Sequence, residues 1–285
     1  MADSASSVIT LTTDFGLSEH YVGAMKGAIL SVNPKATIVD ITHEVQPQRV
    51  EEGCFLLGAA WPYFPPGSVH VAVVDPGVGG ERRPLVLATP GGFFIGPDNG
   101  ILSAALPDSA RPRGFRSVAK PVRLPPNFAA VAISNPSFMR RPVSATFHGR
   151  DVFAPVAAHL TLGAEIDSFG DRVDSILALP PLKAVRKADG SLAGRVIHVD
   201  RFGNVVTSIR AVDIGKSDVT VEIEGAVLHG LATTYGDGDN LVALIDSSGY
   251  LEVALPLGSA AQLLDADLET PVTVRPVVVR LKRPQ

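Results

Sequence analysis

Three side chains in the first half of the chain could together activate a water molecule: Asp75, Arg82 and His148. Asp75 comes directly after the apolar run 69–74, which predicts a buried strand. A carboxylate can orient a water molecule, a histidine can hold its proton, and an arginine keeps a neighbouring carboxylate ionised. A surface salt bridge with a helix-capping histidine is the alternative interpretation, and sequence spacing alone leaves both open.

A second acidic residue, Asp14, follows the predicted strand 8–12 within the segment TTDFG. Ligands of open α/β sheets bind beyond the carboxyl ends of the strands, where acidic residues accept ribose hydroxyls. Because a helix is predicted over residues 19–32, a helix cap is the alternative role for this carboxylate.

Two turn-like segments in the second half of the chain carry further candidates. The segment DRFGN, residues 200–204, interrupts two β-rich runs and offers the Asp200 carboxylate, the Phe202 ring and the Asn204 amide, which could read an adenine edge. Ser247 opens the segment SSGY. A plain hairpin turn is the alternative for both segments.

The first half of the chain alternates predicted strands with predicted helices. The strands cover residues 8–12, 37–41 and 69–74, and the helices residues 19–32 and 50–61. This alternation is typical of a parallel sheet with helical crossovers. A hairpin is predicted around Pro90 and Gly91, and a further helix over residues 152–162. Residues 110–141 are rich in Pro and Arg and are predicted to form an irregular excursion or lid.

The second half changes to short β-rich runs at fairly regular spacing, which predicts a small barrel or sandwich. We therefore expect an α/β N-terminal domain with a mostly parallel sheet, plus a smaller all-β, barrel-like C-terminal domain. The predicted bounds are residues 1–175 for the first domain, 176–189 for a linker and 190–285 for the second.

The composition excludes several classes of function. The chain has 285 residues, a net charge of −4 and no basic patch, which argues against a nucleic-acid partner. No apolar run is long enough to span a membrane and no signal peptide is visible, so the expected compartment is the cytosol. Scattered histidines and a single cysteine indicate no metal site. Dinucleotide, phosphate-loop and serine-hydrolase motifs are absent.

Seven segments in order resemble one known family. They are TTDFG at 12–16, VEEG at 50–53, VDPGVG at 74–79, GPDNG at 96–100, FHGRD at 147–151, DRFGN at 200–204 and SSGYL at 247–251. The chain resembles the S-adenosyl-L-methionine (SAM) hydrolases, also called SAM hydroxide adenosyltransferases, which are relatives of fluorinase and chlorinase. The resemblance covers nearly the whole chain.

This resemblance implies a homotrimer with active sites between the N-terminal domain of one subunit and the C-terminal domain of its neighbour. It also implies SAM as substrate and no cofactor. The residue roles that it implies are these: Asp75, Arg82 and His148 hold and activate water, Asp14 binds the ribose hydroxyls, Asn204 with backbone near Leu257 binds adenine, Asp200 and Ser247 bind the methionine end, and Phe202 packs against the ligand.

The halogenating relatives differ at informative positions. They carry Tyr-Pro or similar where this chain has Asp75-Pro76, serine near Gly149, and arginine where this chain has Ser248. An anionic carboxylate would repel a halide ion, so the chain resembles the hydrolase branch. Gln48 stands where fluorinase has an aromatic residue. A SAM-dependent halogenase and a non-catalytic sensor of SAM or adenosine are the alternative functions.

Overall fold

The computed structural model describes residues 6–114, 118–215, 218–238 and 240–277. The chain divides into two units at Pro181–Leu182, and each unit has its own hydrophobic core. In the part of the chain that is described, no helix has both the length and the apolar character needed to cross a bilayer.

The N-terminal unit is built on a seven-stranded mixed sheet with strand order β2-β1-β3-β5-β4-β7-β8. Its strands are β1 (Val8–Thr13), β2 (Thr37–Thr42), β3 (Ser68–Val73), β4 (Pro84–Ala88), β5 (Gly92–Pro97), β6 (Lys120–Arg123), β7 (Ala129–Ile133), β8 (Gly170–Val173) and β9 (Ser175–Ala178). The pairs β2-β1, β1-β3 and β3-β5 are parallel, whereas β4, β7 and β8 extend the sheet in antiparallel fashion. Strands β6 and β9 form a separate pair.

Helices cover both faces of this sheet. They are α1 (Tyr21–Val32), α2 (Val50–Ala60) and α3 (Ala154–Thr161), with a π-helical turn (Gly149–Phe153) before α3 and short 3-10 helices at Trp61–Tyr63, Ile101–Ala105, Asp108–Ala110, Pro136–Phe138 and Ile166–Phe169. Every residue of β3 is buried, because Val71 packs into the core formed with α1 and α3 while Ala72 packs into the core formed with α2. Burial on both faces explains why the sequence of this strand does not alternate between polar and apolar residues.

Most of the predicted elements of this unit are confirmed, including the parallel core and the β4–β5 hairpin. The prediction that residues 110–141 are irregular was wrong. This segment contains β6 and β7, and β7 lies inside the sheet between β4 and β8. Strand β7 consists of the short run AAVAI, and the Pro-rich and Arg-rich residues around it hid the strand pattern. Residues 115–117 lie outside the described residues.

The C-terminal unit is an antiparallel, barrel-like sheet with strand order β14-β13-β17-β11-β12-β16-β15, and β10 pairs with β11. Its strands are β10 (Val185–Arg186), β11 (Leu192–Val199), β12 (Val205–Arg210), β13 (Val219–Ile223), β14 (Ala226–His229), β15 (Val242–Ile245), β16 (Tyr250–Ala254) and β17 (Pro271–Pro276), with short helices α4 (Ala211–Ile214) and α5 (Ala260–Leu264). The long strand β11 pairs first with β17 and then, around an irregularity between Val196 and His198, with β12. This irregularity lets one strand serve both halves of the curved sheet.

Replacement of Phe169 by alanine tests the core assignment. The ring is fully buried and packs edge-on against Phe138 at 4.8 Å between centroids. We expect Phe169→Ala to lower the free energy of unfolding by about 3–5 kcal/mol, because it leaves a cavity. Urea denaturation followed by the fluorescence of Trp61, the single tryptophan, reports this unit. Leu162→Ala is the control, since that side chain is 59% exposed. A loss below 1 kcal/mol for Phe169→Ala, about that of a surface change, would contradict the assignment.

Candidate functional site

Asp75 lies just beyond the carboxyl end of β3, where a neighbouring turn fixes the backbone. The side-chain amide of Asn99 donates a hydrogen bond to the carbonyl oxygen of Val74 at 2.8 Å. The amide oxygen of Asn99 accepts from the backbone N–H of Ile101 at 3.1 Å. Asn99 therefore ties the segment GPDNG to the residue immediately before Asp75, a role that its place in a turn motif hinted at but did not specify.

The Asp75 carboxylate is held by Arg82. Nε of Arg82 lies 3.0 Å from both carboxylate oxygens, and Nη2 lies 2.5 Å from Oδ2. The Asp75 side chain is only 4% exposed and the Arg82 side chain only 10%. A buried charge requires a partner, and the rigid guanidinium fork matches the carboxylate geometry. The guanidinium also lies over the ring of Phe153, 5.7 Å from its centroid.

Arg82 also donates to His148, with Nη2 2.7 Å from Nδ1. A guanidinium has no acceptor atom, so Nδ1 must be the unprotonated nitrogen and the imidazole is neutral with its hydrogen on Nε2. Burial, followed by the positive charge of Arg82, lowers the pKa of His148 below its usual value, against the opposing effect of Asp75 and Asp151. Geometry and electrostatics therefore agree on a neutral imidazole. His148 precedes the π-helical turn but its side chain makes no capping hydrogen bond.

A close approach between two backbone segments brings His148 to Arg82. Gly79 adopts φ +76°, and a Cβ atom at this position would lie 2.2 Å from the carbonyl oxygen of Ala145. Only glycine allows the turn after β3 to pack this closely against the loop that leads into His148. The contact therefore brings together residues that are separated by more than sixty positions along the chain.

The loop before His148 is anchored by Asp151, which sequence reasoning did not single out as a functional residue. Its fully buried side chain accepts hydrogen bonds from Nε of Arg150 at 2.6 Å and from the backbone N–H of Ser144 at 2.9 Å. Burial opposes ionisation of Asp151, but the hydrogen bonds and the charges of Arg150 and Arg140 outweigh it and lower the pKa of the carboxyl.

Asp14 lies beyond the end of β1. Its Oδ2 accepts a hydrogen bond from the backbone N–H of Gln48 at 2.8 Å, and Gln48 adopts φ 67°. Burial, reinforced by the negative charge of Asp75, raises the pKa of Asp14 despite the hydrogen bond from Gln48. Helix α1 begins only at Tyr21 with no side-chain cap, so Asp14 is not a helix cap.

One cleft of about 620 Å³ in the N-terminal unit joins these residues. Asp14, Asp75 and His148 all line it, whereas Arg82 is not among its lining residues and lies behind the other two. The rings of Phe15, Tyr21 and Phe147 also contribute to the wall, with centroids 5.2–6.0 Å apart. Aromatic faces beside carboxylates suit a cationic or nucleoside ligand.

The C-terminal unit has a cleft of its own, in which the turn 200–204 is organised by Asp200. Its Oδ1 accepts from the backbone N–H groups of Phe202 and Asn204, and its Oδ2 accepts from the side-chain amide of Asn204, all at 2.9 Å. The carboxylate thus builds the turn, as the hairpin interpretation expects. Gly203, at φ +83°, lets the turn approach Ser259 closely.

Two large apolar side chains of this second cleft are unusually exposed. Phe202 is 77% exposed, and Leu257, at φ 57°, is fully exposed. Both line the cleft together with Asp200, Asn204 and Tyr235. Exposed apolar groups beside a cleft are typical of ligand or partner contacts.

Ser247 follows β15. It is exposed in the turn between β15 and β16 and is not one of the described residues that line the cleft.

A pair of side chains at the second cleft, the exposed Tyr235 and the buried Glu252, also escaped sequence analysis. The hydroxyl of Tyr235 hydrogen-bonds with the carboxyl of Glu252, whose side chain is almost fully buried on β16. Burial and this pairing raise the pKa of Tyr235 to about 12. The available sequence signal for this pair was Glu252, a charged residue within the otherwise apolar strand β16. Within the described ranges, no three His, Cys, Asp or Glu side chains form a possible metal-binding group.

Comparison with known proteins gives consistent matches over both units. The family model for the SAM hydroxide adenosyltransferase N-terminal domain matches residues 9–170, and the model for the C-terminal domain matches residues 194–273. A relative from Methanocaldococcus jannaschii named (R)-S-adenosyl-L-methionine hydrolase is 36% identical, covering 94% of this chain and 95% of its own.

A fluorinase from Nocardia brasiliensis is 28% identical, covering 89% of this chain and 92% of its own. A crystal structure of an uncharacterized conserved protein from Thermotoga maritima matches with a TM-score of 0.80 and 36% identity. It covers 94% of this chain and 99% of its own.

The Arg82–His148 contact predicts how the histidine titrates. In the intact protein, we expect the pKa of His148 to lie below the ordinary histidine value of about 6.5, with hydrogen on Nε2. Arg82→Met should raise this pKa, because it removes a nearby positive charge and leaves Asp75 facing the imidazole. Nuclear magnetic resonance titration with nitrogen-15 detection measures both properties. His159, whose pKa is also lowered by burial, is the internal control and should not change. An unchanged His148 pKa in Arg82→Met would contradict the contact.

Proposed function

The chain belongs to the SAM hydroxide adenosyltransferase family, and we propose that it hydrolyses S-adenosyl-L-methionine to adenosine and L-methionine. The observation that carries this proposal is the hydrogen-bonded group of Asp75, Arg82 and His148. It places a carboxylate and a neutral imidazole in the same cleft as Asp14. Hydrolase relatives that cover almost the whole chain support the same reaction.

The two cleft-lining groups of this set have complementary roles toward a water molecule. Asp75 accepts a hydrogen bond from the water, and the Nε2–H of His148 donates one to its oxygen. Arg82 donates hydrogen bonds to Nδ1 of His148 and to both carboxylate oxygens of Asp75, and these bonds set the orientation of the two groups. The water oxygen then presents a lone pair to the substrate, since both neighbouring groups hold it in a defined orientation.

The reaction is an in-line displacement at the C5′ carbon of SAM. The bond between the water oxygen and C5′ forms while the bond between C5′ and sulfur breaks, and the electron pair leaves on the sulfur of methionine. The proton of the attached water passes to Asp75 and then to solvent. We propose that neither metal nor cofactor takes part, because the sulfonium group is already a good leaving group.

Substrate binding uses both clefts in this proposal. The carboxyl of Asp14 contacts the ribose hydroxyls, and the aromatic wall that includes Phe15 favours the cationic sulfur. The remaining contacts follow the family likeness: Asn204 and the backbone near Leu257 bind adenine, Phe202 packs against the ligand, and Asp200 and Ser247 bind the methionine end.

We propose a homotrimer, in which the N-terminal cleft of one copy and the C-terminal cleft of another bind the same SAM molecule. The division of the proposed substrate contacts between two clefts supports this assembly, as do the exposed side chains of Phe202 and Leu257. The proposed location is the cytoplasm, because the free cysteine Cys54 is buried and gives no sign of an oxidising compartment.

Chromatography of the purified protein after incubation with SAM tests the reaction. In halide-free buffer, we expect adenosine and methionine in many-fold excess over the protein, and added chloride should not change the products. A 5′-halogenated nucleoside would assign a halogenase instead. SAM or adenosine bound at a stoichiometric amount without turnover would indicate a sensor. It would exclude the proposed role of Asp75, Arg82 and His148.

Replacement of His148 separates catalysis from binding. We expect His148→Ala to lower kcat by about 100-fold or more while KM for SAM changes little, because the attacking water loses the Nε2–H donor that positions it and such misplacement costs about 100-fold. His159→Ala is the matched control, since His159 is also partly buried but packs against Phe138 outside the cleft. Steady-state kinetics measures both variants. A large rise in KM with an unchanged kcat would assign His148 to binding.

A further inference from the structure

A chain of three polar side chains lies directly behind the turn that carries Asp14. Oγ1 of Thr13 is 2.8 Å from Nδ1 of His43, and Nε2 of His43 is 3.0 Å from Oδ1 of Asp40. Thr13 is fully buried and His43 is 2% exposed, whereas Asp40 lies nearer the surface. We refer to Asp40, His43 and Thr13 as the relay.

The donors and acceptors of the relay fit one arrangement. Nε2 of His43 faces the Asp40 carboxylate at ion-pair distance, and Nδ1 accepts from the hydroxyl of Thr13. The hydroxyl oxygen of Thr13 still accepts from the backbone N–H of Phe15 at 3.3 Å. Asp40 is held in turn by Lys26 of α1, whose Nζ is 2.6 Å from Oδ2.

The same residues hold the backbone on both sides of Asp14. The carbonyl oxygen of His43 accepts from the N–H of Gly16 at 2.7 Å, and the carbonyl oxygen of Thr13 accepts from the N–H of Val45 at 3.4 Å. His43 therefore contacts the residue before Asp14 through its side chain and a residue after Asp14 through its backbone. A carboxylate on a turn constrained in this way has little freedom to move.

The strand pairing is altered at this place and nowhere else between β1 and β2. Leu11 pairs with Asp40, but Thr12 pairs with Thr42, so Ile41 is an extra residue. Bulges of this kind re-aim side chains and are frequent beside functional sites. Here the extra residue lies between two members of the relay, Asp40 and His43, along the chain.

We propose that the relay is a positioning device that fixes the Asp14 carboxylate for the ribose hydroxyls of the substrate. This inference rests on the proposed function, because it takes the ribose as the group that Asp14 binds. It assigns no chemical step to the relay, since Thr13 is fully buried and does not line the N-terminal cleft. The relay acts through the Asp14 turn alone.

Strand β1 provides a matched control for this proposal. Oγ1 of Thr10 is also 2.8 Å from Nδ1 of a buried histidine, His70. His70 packs against the ring of Phe94 in the interior, 4.8 Å between centroids, and neither Thr10 nor His70 lines the N-terminal cleft. A Thr-to-Val change at either position removes the same type of buried hydrogen bond, but only the change at Thr13 affects the Asp14 turn.

Isothermal titration calorimetry of the full chain with adenosine and with 2′,3′-dideoxyadenosine tests the relay. In Thr13→Val we expect the affinity for adenosine to fall about tenfold, because hydrogen bonds to a misplaced carboxylate weaken. Affinity for the dideoxynucleoside, which lacks the hydroxyls, should stay within about twofold, well under the tenfold step that 1.4 kcal/mol represents. Thr13→Ser should restore adenosine binding, and Thr10→Val should bind both nucleosides like the unchanged protein.

The proposal is contradicted if Thr13→Val leaves the ratio of the adenosine affinity to the dideoxyadenosine affinity unchanged. It is also contradicted if Thr10→Val lowers this ratio as much as Thr13→Val does. Asp40→Ala is a second variant at the outer end and should also reduce the ratio if Thr13→Val does not fold. Equal affinities for the two nucleosides in the unchanged protein would exclude ribose recognition by Asp14, and the relay with it. Product formation from SAM is measured separately. A variant that loses turnover but keeps the ratio of the two nucleoside affinities would indicate a defect at Asp75, Arg82 and His148 instead.

Discussion

The arrangement of the N-terminal cleft depends on one shared donor, the buried guanidinium of Arg82. It bonds both oxygens of Asp75 and Nδ1 of His148 at once. A guanidinium is always charged and only donates, so this contact sets both the orientation of the carboxylate and the tautomer of the imidazole. Removing one partner of such a buried pair typically costs about 3–5 kcal/mol, because the other charge is left without compensation. A residue that does not line the cleft therefore fixes two residues that do, Asp75 and His148.

The fold meets this constraint by fixing backbone segments that are remote in sequence. Asn99 holds the end of β3 before Asp75, and Gly79 permits the close contact with Ala145 in the loop that leads to His148. Asp151 anchors that same loop. On the neighbouring strand β1, the turn with Asp14 is held from behind in a comparable way. In both places polar groups behind the cleft lie next to a carboxylate that lines it.

Sequence reasoning located the carboxylates better than the groups that position them. Asp14 and Asp75 follow apolar strands, and the topology of a parallel core places both at the same edge of the sheet. The contact of Arg82 with His148 depends on a tertiary approach at Gly79, which no local pattern encodes. Strand β7 was missed because it is short and made mostly of alanine and valine, so its place in the sheet comes from pairing with β4 and β8 and not from local propensity.

Hydrolysis of SAM in water enriched in oxygen-18, with mass spectrometry of both products, tests the central claim most directly. Attack by water at C5′ predicts one oxygen-18 atom in the 5′-hydroxyl of adenosine and none in methionine, because the C5′–sulfur bond is the one that breaks. Adenosine without the label would contradict the account, since its 5′-oxygen would then come from another source and the water held between Asp75 and His148 would not be the nucleophile.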